Sequence, residues 1–140
     1  MTVPSPKRAL ALLCAPLLAL AVTACGSSTV STSGFSGEDR DVAQAISHLQ
    51  SHATAGEEKK ICAEDLAGVV VKRLGGAGRC ETAIKNQLAE VDSFELSVTS
   101  IKLDGATATA IVRSVKGGKN RLSTLTLVRE GSKWKTSELQ

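Results

Sequence analysis

Aromatic residues are almost missing from this sequence. It has two Phe, one Trp and no Tyr in 140 residues. Three rings (Phe35, Phe94 and Trp134) are too few to build the stacking platforms on which single-stranded nucleic acid lies. The charge points the same way. Lys and Arg number 17 against 14 Asp and Glu, and two of those bases, Lys7 and Arg8, fall in the first few residues. No basic excess remains to follow a phosphate backbone, so nucleic acid is excluded as a partner. Without Tyr there is no phenol for acid–base work. Histidine is nearly as scarce, with only His48 and His52. They sit at i, i+4 spacing, but no Glu follows the first His as in H-E-x-x-H, so they read as surface residues of a helix. No G-x-S-x-G nucleophile turn is present. The run Gly75-Gly76-Ala77-Gly78 lacks the G-K-[ST] ending of a phosphate loop. No cofactor or metal is implied by any motif, and no catalytic residue is assigned.

What is present begins at the N-terminus. Lys7 and Arg8 precede the apolar run Ala9–Val22, which Thr23, Ala24 and Cys25 close. A short apolar segment with basic residues before it and small residues after it predicts a secretory signal, too short for a stable span. The ending V-T-A-C resembles the lipobox of bacterial lipoproteins. In that family the cysteine receives a diacylglyceryl group and the chain is cut just before it. The resemblance implies a signal peptide over 1–24, lipidation of Cys25, and a membrane partner reached through that lipid. It places the protein on the outer face of the bacterial cytoplasmic membrane.

The other cysteines follow from that address. Cys14 would leave with the signal. Cys62 and Cys80 remain as an even pair in an exported chain, and outside the reducing cytosol a disulfide is their expected state. Their spacing is not C-x-x-C, which argues against a redox pair. A zinc site would need both histidines as further ligands, and the spacing has no finger pattern.

After Cys25, Gly26–Gly37 is small, polar and aperiodic, which predicts a tether over 25–37. Such a linker reaches roughly 20 Å. A single domain over 38–140 follows. Glu38–Ala53 is predicted as a helix, with Val42, Ala45, Ile46, Leu49 and Ala53 on one stripe and a Ser36–Asp39 capping box at its start. Glu57–Leu74 is predicted as a second helix and Cys80–Val91 as a third.

From Ser93 the apolar period changes to two. Phe94, Leu96 and Val98 alternate, and Ile101 and Leu103 then continue on the other phase. That slip predicts a β-bulge or a change of buried face. Asp104-Gly105, Gly117-Gly118 and Glu130-Gly131-Ser132 are turn signals. They divide the rest into Ala106–Val115, Arg121–Arg129 and Lys133–Leu139. Three helices followed by four strands predict an α+β fold, with N-terminal helices packed on a curved four-stranded antiparallel sheet.

This order resembles a family of small actinobacterial-type lipoproteins with a cone-like, nuclear-transport-factor-2-like (NTF2-like, or cystatin-like) domain. The matching residues are Cys25, Cys62, Cys80 and the pair Trp134-Lys135, and the likeness runs from Glu38 to Leu139. Thr136 and Ser137 depart from it, standing where the family usually has apolar residues. The resemblance implies fold and address and carries little chemistry. Enzymes of this fold direct an Asp, His or Tyr into a cone-shaped pocket. Here Glu95 is the strand carboxylate nearest that role, and alternation with Phe94 and Leu96 predicts that it faces solvent.

Charge is uneven along the chain. Ser36–Gly105 has twelve acids and eight bases, whereas Ala106–Gln140 has seven bases and two acids. Lys116, Lys119 and Arg121 surround the Gly117-Gly118 turn and form a candidate contact to an anionic surface, one that salt would weaken. The functional expectation is a membrane-anchored module that binds an envelope protein, a polymer or a small ligand without catalysis. A small isomerase- or dehydratase-like pocket enzyme is the alternative.

Overall fold

A computed structural model describes residues 30–91, 93–116 and 118–139, except for the side chains of Lys116 and Leu139. Segment 1–24, Cys25 and residues 26–29 lie outside the described residues. Among the described residues no helix is long and apolar enough to cross a membrane.

The first helix, α1, spans Gly37–Ala55. It buries Val42, Ala43, Ile46, Leu49 and Ala53, which is the expected stripe widened by Ala43, with Ala45 half-buried beside it. The capping box does not form. Ser36 makes no side-chain cap bond, so Glu38 and Asp39 favour this end through the helix dipole alone. Gly56 ends the helix with φ of 66°, a conformation that glycine adopts without steric cost. Its N–H bonds Ala53 O, and the Glu57 N–H bonds His52 O.

The expected second helix is broken into parts. Glu58–Lys60 (α2) passes into a π turn over Ile61–Asp65, and Gly68–Arg73 forms α3. The interruption is tertiary in origin. Leu66 leaves the helical path to make a parallel bridge with Thr136, and the Ala67 N–H donates to Thr136 O at 2.8 Å. The apolar periodicity survives the break, because Ile61, Leu66, Val70 and Leu74 still share one cluster. The last helix, α4, spans Ala77–Ala89, starting earlier than expected.

The four strands are β1 (Leu96–Asp104), β2 (Thr107–Lys116), β3 (Lys119–Glu130) and β4 (Lys133–Leu139). They form one antiparallel meander in sequence order. The phase slip in β1 is a bulge. Val98 pairs with Val112 and Ser100 with Ile111, leaving Thr99 as the extra residue. Leu96 and Val98 therefore share the half-buried face with Ile101 and Leu103. A second register shift, between Thr126 and Leu127, leaves Ser137 of β4 as the extra residue against β3.

The core has two lobes. One joins Val42 and Ile46 to Ala108, Ala110, Leu127 and Trp134 on the sheet. Arg129 stacks over Trp134 with Cζ 4.8 Å from the ring centroid, and it pairs with Glu38 from α1. Val30 is 4% exposed and belongs to this lobe. The chain is thus packed on the domain by Val30, and the free part of the expected 25–37 tether cannot extend past it. The second lobe joins Leu49, Ala53, Ile61 and Leu66 to the Cys62–Cys80 disulfide, whose Cα atoms lie 6.1 Å apart.

Candidate functional site

Along the inner face of the sheet the side chains change in character. Paired positions on β2 and β3 run Ala108/Leu127, Ala110/Leu125, Val112/Ser123 and Ser114/Arg121. The first pairs are packed under α1. The later ones extend past it, because α1 ends at Ala55 and the chain turns into the π turn. Between the uncovered end of the sheet and the helices lies a cavity of about 550 Å³. That size falls within the range of small-molecule sites.

The floor and helical wall are apolar. Leu49 and Ala53 come from α1, Val70 from α3 and Leu74 from just past its end, and Ile84 and Leu88 from α4. The opposite wall is Leu96, Val112 and Leu125 of the sheet. The disulfide holds this arrangement from behind, because it ties the π turn to the start of α4 and both cysteines are buried. Gln50 fixes the sheet end of the site. It is 3% exposed, and its Oε1 accepts the Leu96 N–H at 2.7 Å, which anchors the first residue of β1 to α1. The exposed lining residues Gln87, Ser93, Glu95, Arg121 and Glu138 mark its mouth, while Ser114, Ser123 and Ser137 are half-buried and Thr136 is buried.

The basic trio at the β2–β3 turn is divided by the structure. Lys116 pairs with Lys119 in register, and the Lys116 side chain lies outside the described residues. Lys119 is exposed near the turn. Arg121 lines the cavity mouth instead of standing only on the outer surface. Glu95 is exposed, as alternation predicts, yet it also borders the cavity. Sequence reasoning missed the site as a whole. Its apolar walls looked like ordinary core stripes, and only the polar end of the β2/β3 pairing, Ser114/Arg121, marked where covering stopped.

The two histidines are elsewhere. His48 is exposed and His52 half-buried, with ring centroids 6.4 Å apart. His52 Nδ1 lies 2.7 Å from Oδ2 of the buried Asp65, and its Nε2 lies 4.0 Å from Glu57 Oε2. Burial pushes the Asp65 carboxyl above the usual carboxylate range, while the hydrogen bond and charge of His52 pull it back. The Glu57 carboxyl is held below its ordinary value, chiefly by a hydrogen bond from Lys60. None of these five residues borders the cavity. The His52–Asp65 pair joins α1 to the π turn.

No protein-family profile matches the chain, and no curated protein matches it. Solved structures do. The solution structure of a SEC-C motif-containing protein from Rhodopseudomonas palustris superposes with a TM-score of 0.54 at 17% identity, covering 69% of this chain and 74% of that one. An NTF2-like designed chain superposes with a TM-score of 0.51 at 14% identity, covering 74% of this chain and 98% of its own. At these identities the likeness is one of fold. The protein has an NTF2-like α+β fold, with helices packed on an open four-stranded antiparallel sheet.

Proposed function

We propose that this protein is a lipid-anchored module of the bacterial envelope that binds a small, largely apolar ligand in the cavity between its helices and sheet, without catalysing a reaction on it. The observation that carries the binding role is the cavity of about 550 Å³, walled mainly by apolar side chains such as Leu49, Val70, Leu88 and Leu125. Among the described residues, the buried carboxyl with a raised pKa is that of Asp65, and it lies outside this cavity. An acid–base enzyme of this architecture would need such a group inside.

The address rests on the N-terminal signal and the lipobox-like V-T-A-C. Diacylglyceryl on Cys25 supplies two acyl chains, enough for stable attachment where one chain gives only marginal binding. Val30 packs on the domain, so the stretch from Cys25 to Val30 spans at most about 18 Å. The domain would sit against the outer face of the membrane that holds it, with the cavity presented to the envelope space.

Two measurements test this reading. Native mass spectrometry of the protein purified from its own membranes should find a bound small molecule in stoichiometric amount; an empty protein after mild extraction would count against the binding role. Radiolabelled palmitate should enter the wild-type chain and fail to enter Cys25→Ala. Labelling that persists in the variant would remove the anchor.

A further inference from the structure

The inner face of the sheet specifies more than an apolar ligand. Starting from Ala110/Leu125 the paired positions pass through Val112/Ser123 to Ser114/Arg121. Apolar surface, hydroxyls and a guanidinium follow one another along a single line of the cavity wall. Two acids, Glu95 and Glu138, border the same mouth from positions that alternate with this line. Glu138 pairs with Thr126, which alternates away from Ser123 and Leu125, and Glu95 precedes β1 and alternates away from Leu96. Lys60, Arg129, Lys135 and, when protonated, His52 make ion pairs among the described residues. Arg121 is in none of them, and it is exposed at the opening.

From this we infer that the ligand is a single-chain amphiphile with a carboxylate head, its chain in the apolar cavity and its head held by Arg121 with the hydroxyls of Ser114 and Ser123. The inference rests on the binding reading above and adds the chemical class. A guanidinium offers a carboxylate two parallel N–H donors, and hydroxyls can donate to the remaining lone pairs. The hydrocarbon tail accounts for the rest of the lining, where Leu88, Leu96 and Leu125 offer no polar partner. A neutral head of the same chain length would lose the charge-assisted bonds, and a cationic head would meet Arg121 with like charge.

The test uses the full chain carrying Cys25→Ala, so that no acyl group of its own competes. Displacement of a fluorescent sixteen-carbon fatty acid is measured with palmitate, hexadecanol, hexadecyltrimethylammonium and phosphatidylglycerol vesicles. Palmitate should compete at least about tenfold better than hexadecanol. Arg121→Gln should narrow that gap to within about threefold, chiefly by weakening palmitate, and Arg121→Lys should restore part of it. Leu88→Trp, which fills the cavity, should abolish displacement by all single-chain probes. Far-ultraviolet circular dichroism reports whether each variant is folded. Equal competition by acid and alcohol, or a gap unaffected by Arg121→Gln, would overturn the head-group assignment. Tighter binding of the ammonium probe would do the same. Displacement by the vesicles alone would assign the surface to a bilayer and overturn the single-chain ligand. If no probe competes, the ligand class is wrong, and the binding role is still decided separately by what is extracted with the native protein.

Discussion

His52 Nδ1 and Asp65 Oδ2 lie 2.7 Å apart, joining the last turn of α1 to the end of the π turn. His52 is half-buried and Asp65 is buried, so the contact is largely shielded from solvent. The Asp65 carboxyl is desolvated more than its partner compensates, which raises its pKa. The folded state therefore holds a proton on Asp65 at pH values where the unfolded chain has released it. Stability from this group is present below the unfolded value of 3.8 and is lost as pH rises through the elevated folded value. Asp65→Asn removes that dependence. Melting temperatures of wild type and variant, measured from pH 4 to pH 7, should show the wild type losing ground relative to the variant as pH rises. A constant difference across the range would show that Asp65 titrates normally.

The Cys62–Cys80 bond closes a loop with a sequence separation of 18 residues. The chain-entropy account assigns about 3 kcal/mol to a loop of this size. The double variant Cys62→Ala, Cys80→Ala should unfold at a lower urea concentration by about that free energy. Dithiothreitol should shift the wild type toward the variant and leave the variant unmoved. Trp134 is 6% exposed and is the one Trp of the sequence, so its emission reads the transition directly.

Gln50 accepts the Leu96 N–H from the interior of α1. Gln50→Leu keeps the bulk and removes the acceptor, leaving a part-buried backbone donor unpaired. The expected cost is about 1–3 kcal/mol in chemical denaturation. Hydrogen exchange at Leu96 should accelerate more than exchange in β3. Uniform acceleration across the sheet would mean that the variant acts on global stability alone.

Glu130 reaches from the end of β3 to α3. Its Oε1 accepts the Gly68 N–H at 2.8 Å, and its Oε2 lies 3.7 Å from Lys135 Nζ. Lys135 in turn donates to Ala63 O at 3.0 Å. Both contacts tie the β3–β4 corner to the broken helical segment. Glu130→Ala should cost about 1 kcal/mol, and Glu130→Gln, which keeps an acceptor, should recover most of it. Equal loss in both would transfer the effect from the hydrogen bond to the Lys135 ion pair.

Local chemistry determined most of the elements. The period of α1, the three glycine-bearing turns of the meander and the phase slip in β1 all follow from spacing, because each is decided within a few residues of chain. The spacing of Val98 and Ile101 shows a phase slip that a bulge or a change of buried face would both satisfy, and the pairing with β2 makes it a bulge. Tertiary structure decided the rest. Leu66 and Ala67 leave the helix because Thr136, far away in sequence, offers a bridge and a carbonyl. Thr136 interrupts the apolar pattern of β4, yet it is buried, because its backbone serves that bridge. Val30 looked like part of a free tether and is packed in the core, since one apolar residue among serines and threonines carries no period. The cavity depends on where α1 stops covering the sheet. The same alternation produces Leu125 under the helix and Arg121 beyond it, and no spacing along the chain states where that cover ends.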